Sequence, residues 1–182
     1  MPFDPTRLAT LTAIAFDVDG VLTDGTLTWR SDAPEAEIKS FHFADIMGIS
    51  LLRRLGLKLA LISGEDSELV SRYAAKMHIP HVTRGTRDKA QALRDFTERF
   101  SLSLAHTAYF GDDINDLFAM EIAGLACCPA NAARDIRDFV ASHNGFLSTQ
   151  PGGHGAVREL TDTILRARNL RARDVFQLRP PD

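Results

Sequence analysis

The chain has 182 residues, 45% hydrophobic and 25% charged, which at roughly 150 residues per domain suits one domain. Its composition is that of an average soluble globular protein, excluding disordered, collagen-like and low-complexity chains, and its length suffices to bury a core without staples. A net charge of −3 argues against nucleic acid as a partner, and neither an apolar run of the ~18 residues a membrane span needs nor a signal-peptide layout in Met1–Thr12 occurs, so the expected location is the cytoplasm.

Short apolar runs ending in polar, glycine-bearing turns punctuate the chain: Ala13-Ile14-Ala15-Phe16, Leu59-Ala60-Leu61-Ile62, Thr107-Ala108-Tyr109-Phe110 and Leu125-Ala126-Cys127-Cys128. Such runs suit strands buried on both faces of a parallel sheet. Between and after them lie segments of helical period, marked by Ile49, Leu52 and Leu55; Leu69, Tyr73, Ala74 and Met77; Ala90, Leu93, Phe96 and Phe100; Leu117, Met120 and Ile122; and Val157, Leu160, Ile164 and Leu165. This alternation predicts an α/β fold with a doubly wound parallel sheet. One stretch interrupts it. Thr26–Trp29 and Ile38–Phe43 alternate with period two around a polar tip, which predicts a β-hairpin flap over 26–43 and no separate cap domain. The arginine-rich end predicts a helix terminus followed by a solvated tail over 170–182, the whole of 1–182 forming one domain. The adjacent Cys127 and Cys128 read as small core residues rather than a disulfide or zinc site.

In an open parallel sheet, ligands bind beyond the carboxyl ends of the strands. Those positions hold Asp17-Val18-Asp19-Gly20, Ser63-Gly64 and Gly111-Asp112-Asp113-Ile114-Asn115-Asp116, with Lys89 opening the helix between the last two. So many aspartates on two strand ends repel one another unless a cation lies among them. Oxygen-only ligands suit a hard ion, Mg²⁺ rather than zinc. Ser63 and the backbone N–H groups around Gly20 and Gly64 could hold phosphate oxygens. Lys89 would supply positive charge to a transferring phosphoryl group, and an aspartate could carry it covalently. Alone, Asp-x-Asp is often a loop cap, Ser63-Gly64 an ordinary turn and Lys89 an ordinary surface lysine; their joint placement carries the reading.

Asp17-Val18-Asp19-Gly20, Ser63, Lys89 and Gly111-Asp112-Asp113 with Asp116 resemble, in order, the four motifs of the haloacid dehalogenase superfamily. The resemblance implies Asp17 as nucleophile and Asp19 as general acid/base. It implies Mg²⁺ held by Asp17, the Asp19 carbonyl and Asp112, with Asp113 on the metal's waters and Asp116 orienting Lys89. Asp19–Gly25 and the late Gly152-Gly153-His154-Gly155-Ala156-Val157-Arg158-Glu159 are similar to the capless branch, which includes phosphatases of eight-carbon and nine-carbon 3-deoxy-ulosonate phosphates. That branch implies a sugar-acid phosphate as substrate. It also implies a homotetramer in which hairpins pair and a neighbouring subunit covers each site. Arg158, or the Arg166–Arg173 run, could then offer a cation to a substrate carboxylate across that interface, although helix-end or surface charges suit these arginines too.

Two departures stand out. Glu65 replaces the arginine usual in octulosonate phosphatases, and Asp45-Ile46 replaces an Asp-Gly pair. Glu65 with Lys76 looks more like the nine-carbon branch, although a carboxylate at Glu65 also suits a first helical turn. A broader metabolite phosphatase or phosphotransferase, and an inactive scaffolding relative, stay open as alternatives. The retained Asp17, Asp19 and Lys89 weigh against the last.

Overall fold

The computed structural model describes residues 4–180. A short α1 (Thr6–Ala9) leads into β1 (Ala13–Phe16), and the flap follows as β2 (Thr28–Arg30) and β3 (Ala33–Ile38). The core resumes with α2 (Phe43–Arg54), β4 (Lys58–Ile62), α3 (Glu68–Met77), β5 (His81–Thr83), α4 (Lys89–Arg99) and β6 (Thr107–Phe110). It closes with α5 (Leu117–Ile122), β7 (Leu125–Cys128), α6 (Arg134–Ser142), β8 (Phe146–Leu147), α7 (Ala156–Ala167) and α8 (Ala172–Phe176). Six strands form one parallel sheet in the order β5-β4-β1-β6-β7-β8. The chain winds outward from β1 in one direction, then returns to β6 and winds in the other. The reversal opens a crevice beyond the carboxyl ends of β1 and β6.

Burial on both faces explains the uninterrupted apolar strands. Ile14, Phe16, Leu59, Leu61 and Phe110 pack against α1, α2, α3 and α7. The alternate residues Ala13, Ala15, Ala60, Ile62 and Tyr109 pack against α4, α5 and α6. Cys127 and Cys128 fall on opposite faces, buried and unpaired; burial raises both thiol pKa values, as expected of core residues.

The flap departs from the period-two reading. Its second strand is Ala33–Ile38 rather than Ile38–Phe43, and Phe43 opens α2. Phe41 lies in the connection and stacks on Tyr73 of α3, ring centroids 4.0 Å apart. An extended linker and a strand share the same alternation, so parity alone misplaces the strand by several residues. The tail departs as well. Within it α8 buries Val175 against Leu51 and Leu165, and the Arg54 guanidinium lies 4.9 Å over the Phe176 ring and bonds the Phe176 carbonyl at 3.0 Å. The last residues of the expected tail, Pro181 and Asp182, lie outside the described residues, as do the first three of the N-terminal segment.

Asp45 acquires a role that its sequence position hides. Its buried carboxylate accepts N–H bonds from Gly155 at 2.9 Å and Arg158 at 2.8 Å, capping α7 from another helix. Helix α7 has no side-chain cap of its own. Asp45→Ala is expected to cost about 1–2 kcal/mol, lowering Tm by about 2–8 °C in a domain of this size, as a thermal melt would show.

Candidate active site

The reversal crevice holds a cleft of ≈ 280 Å³ whose wall includes Asp17, Asp19, Glu65, Lys89, Asp112 and Asp113. Asp17 follows β1 directly, its N–H extending the ladder to the Phe110 carbonyl at 2.8 Å, and its side chain is buried. Lys89 is the first residue of α4, where the helix dipole opposes a cation. Two carboxylates offset that: Lys89 Nζ lies 2.9 Å from Asp17 Oδ1 and 2.7 Å from Asp116 Oδ1. Burial works against the ammonium, but Asp17 and Asp116 outweigh it and hold its pKa above the ordinary lysine value.

Asp116 serves as the organiser. Its Oδ1 accepts from Lys89 and from the buried Tyr109 hydroxyl at 2.8 Å, and its Oδ2 accepts the Asp112 N–H at 2.9 Å and the Asp113 N–H at 3.3 Å. Asp113 caps the short turn Ile114–Asp116, taking the Ile114 N–H at 2.7 Å. The Asp112 carboxylate lies close against Gly20, whose φ of +87° favours glycine and where a Cβ would fall 2.0 Å from Asp112 Oδ2. Gly152 packs onto the same loop so closely that its Cβ would meet the Gly20 carbonyl at 1.7 Å. This ties the late glycine-rich motif to the Asp17–Asp19 turn.

Among the described residues, ligand oxygens of Asp17, Asp112 and Asp116 come within 4.8 Å of one another. Since Asp116 is fully engaged, Asp17 and Asp112 are left to face the cleft. Burial and then the Asp116 charge push Asp17 well above the usual carboxylate range. Burial and the Asp116 and Asp113 charges push Asp112 up to about 7. One ammonium does not balance these carboxylates, and oxygen donors of this kind fit a hard divalent cation.

The other expected residues are placed variously. Gly64 and Glu65 reach the cleft, whereas the buried Ser63 hydroxyl lies within its turn, 3.1 Å from the Glu65 N–H and carbonyl. Lys76 is exposed in the last turn of α3, nine residues or about 13 Å of helix beyond the Ser67 cap. Helix α3 carries Lys76 away from the strand ends, so of these two expected sugar contacts only Glu65 lines the cleft of its own chain. Arg158 pairs with Asp162 at 2.9 Å and does not line the cleft. Two residues of the site are not evident from sequence. Tyr109 is masked by an apolar strand, and Lys39 of the flap reaches Asp19, Nζ to Oδ2 2.8 Å. A lone lysine in Ile38-Lys39-Ser40-Phe41 is the only signal of the second.

A family model for haloacid dehalogenase-like hydrolases matches residues 59–143. The 3-deoxy-D-manno-octulosonate 8-phosphate phosphatase of Haemophilus influenzae is 37% identical over 161 residues, 88% of this chain and 86% of that protein. The chain belongs to the haloacid dehalogenase-like hydrolases. The solved 3-deoxy-D-manno-octulosonate 8-phosphate phosphatase of Moraxella catarrhalis, in complex with magnesium, phosphate and KDO, is similar at TM-score 0.83 and 35% identity, covering 91% of each chain. A cobalt-bound octulosonate phosphatase from Haemophilus influenzae is similar at TM-score 0.83 and 34% identity, covering 90% of this chain and 92% of its own. With this relationship the chain is a phosphatase of phosphate monoesters.

Proposed function

We propose that this phosphatase uses Mg²⁺ to remove the terminal phosphate of an eight-carbon 3-deoxy-ulosonate, 3-deoxy-D-manno-octulosonate 8-phosphate, through an aspartyl-phosphate on Asp17. The observation that carries the reading is Asp17, buried at a strand end, held by Lys89 and open to a cleft shared with Asp19 and Asp112. Similarity to octulosonate phosphatases over most of the chain supports the substrate. It outweighs the departure at Glu65, since Lys76, the second sugar contact of the nine-carbon reading, does not line the cleft of its own chain.

Asp17, the Asp19 carbonyl and Asp112 would hold Mg²⁺, with Asp113 on its waters. When bound, the ion neutralises the phosphate and aligns its oxygens. Lys89 holds Asp17 Oδ1, so the carboxylate is oriented before substrate arrives. Asp17 attacks phosphorus as the ester bond breaks, and Asp19 delivers its proton to the departing sugar oxygen. A water then attacks the phospho-Asp17, giving its proton to Asp19 and releasing phosphate.

Side-by-side turnover of eight- and nine-carbon ulosonate phosphates and a simple sugar phosphate tests this. The eight-carbon compound should lead in kcat/KM by about tenfold or more, within the range of pocket discrimination. A lead for the nine-carbon compound overturns the substrate, and equal turnover of all three returns the broader phosphatase.

The site is also proposed to sit in a cytoplasmic homotetramer. Trp29 and Phe43 are 68% and 80% exposed, with Leu27, Ile38 and Met47 nearby in sequence, an apolar load that suits pairing of flaps. Phe41 is withdrawn from that surface by its stack on Tyr73. Light scattering showing an active monomer would reject the assembly.

A further inference from the structure

The flap touches the core of its own chain on both sides of the cleft. Glu37 lies in β3 and Lys39 just past its end, and both side chains reach back to the core. Ser67, which caps α3, donates its hydroxyl to Glu37 Oε2 at 2.6 Å. Lys39 Nζ lies 2.8 Å from Asp19 Oδ1 and 2.8 Å from Oδ2, straddling the carboxylate. The Lys39 side chain is only 3% exposed while that of Asp19 is 30% exposed. A lysine normally keeps its ammonium in water. One buried over a catalytic carboxylate differs in kind from a mobile surface pair.

Lys39 is the principal hold on Asp19. The Thr23 hydroxyl also approaches the carboxylate, but at a long 3.5 Å from Oδ1. A general acid must lie within hydrogen-bond reach of the atom it serves, and a partly exposed aspartate on a turn has rotamers that miss it. We propose that Lys39 is a positioning residue for Asp19: the flap's lysine clamps the acid/base carboxylate on the leaving-group side of the cleft, so that proton delivery depends on the flap being seated. This rests on the reading of Asp19 as the acid/base of the proposed phosphatase.

The step it serves is balanced. The bond from phosphorus to the sugar oxygen breaks as the bond from phosphorus to Asp17 forms, and the Asp19 proton passes to the sugar alkoxide. Lys39 keeps one Asp19 oxygen while the other turns to the ester oxygen. Glu37 on Ser67 fixes the strand from which Lys39 extends.

Leaving-group dependence separates positioning from a structural or phosphate-binding role. A sugar alkoxide needs the proton, whereas p-nitrophenolate departs without it. Lys39→Met should lower kcat/KM for the ulosonate phosphate by about 10²-fold, the cost of a misplaced reacting group, with the loss in kcat rather than KM. It should change kcat/KM for p-nitrophenyl phosphate little, and Lys39→Arg should recover part of the lost rate. Equal loss on both substrates, or none on the ulosonate phosphate, overturns the proposal. Asp19→Asn serves as the control. If that variant lacks the leaving-group split, the assignment of Asp19 fails and Lys39 with it. If it shows the split and Lys39→Met does not, the role of Lys39 alone is refuted.

Discussion

Asp17→Asn is expected to lower turnover by roughly four to six orders of magnitude, the range seen when a covalent nucleophile is deleted, and to leave the protein folded. The amide is nearly isosteric, and Lys89 keeps Asp116 as its partner at 2.7 Å. The native carboxylate is unfavourable for stability. Burial and the Asp116 charge raise its pKa despite the neighbouring ammonium, so neutralising it removes a cost that the fold bears for chemistry. Thermal unfolding of the variant should therefore occur at the native temperature or above it, the pattern of a site where activity and stability conflict. Acid-quenched native enzyme should carry phosphate on the peptide containing Asp17, and the variant none. A variant that is stable and still turns over at a near-native rate would reject the covalent route, because no other carboxylate lining the cleft is held by Lys89 in the same way.

What is legible in the sequence follows from what local pattern encodes. The strand-end rule isolates Asp17 and Asp112 because a short, largely apolar run leading into an acidic turn seldom occurs except where a buried strand meets solvent. The parallel sheet is legible for the same reason in β1, β4, β6 and β7. The edge strands β5 and β8, of three and two residues, are too short to show a period. In α6 the apolar Ile136, Phe139 and Val140 are interleaved with Arg134, Asp135, Arg137 and Asp138, which dilutes the helical signal. Asp45 caps a helix more than a hundred residues away, and Tyr109 supports Asp116 from inside a core strand. Neither relation exists until the chain is folded. Lys39 belongs to the same class: its charge predicts solvent, and only the return of the flap over β1 places it on Asp19.

Metal removal should abolish turnover, and its effect on stability should depend on pH in a direction that the site dictates. Asp112 is raised from 3.8 to about 7 by burial and by its acidic neighbours, with Asp17 raised beside it. A carboxyl with a raised folded-state pKa keeps its proton where the unfolded chain has already released it. Its contribution to stability is present below about pH 4 and is lost as pH rises toward about 7. A divalent cation competes with that proton for the same oxygens, so its binding should strengthen as the proton leaves. The buried His81 has a lowered pKa and biases stability the opposite way across part of this window. The informative quantity is therefore the rise in Tm on adding Mg²⁺ to chelated protein at each pH, in which the His81 contribution cancels. That rise should be small near about pH 5 and large near about pH 8, while turnover returns with Mg²⁺ and not with Ca²⁺, whose longer and more numerous bonds do not suit an octahedral site. An equal rise at both pH values would mean that the ion does not displace the carboxyl proton, and full turnover after exhaustive chelation would remove the metal from the chemistry altogether.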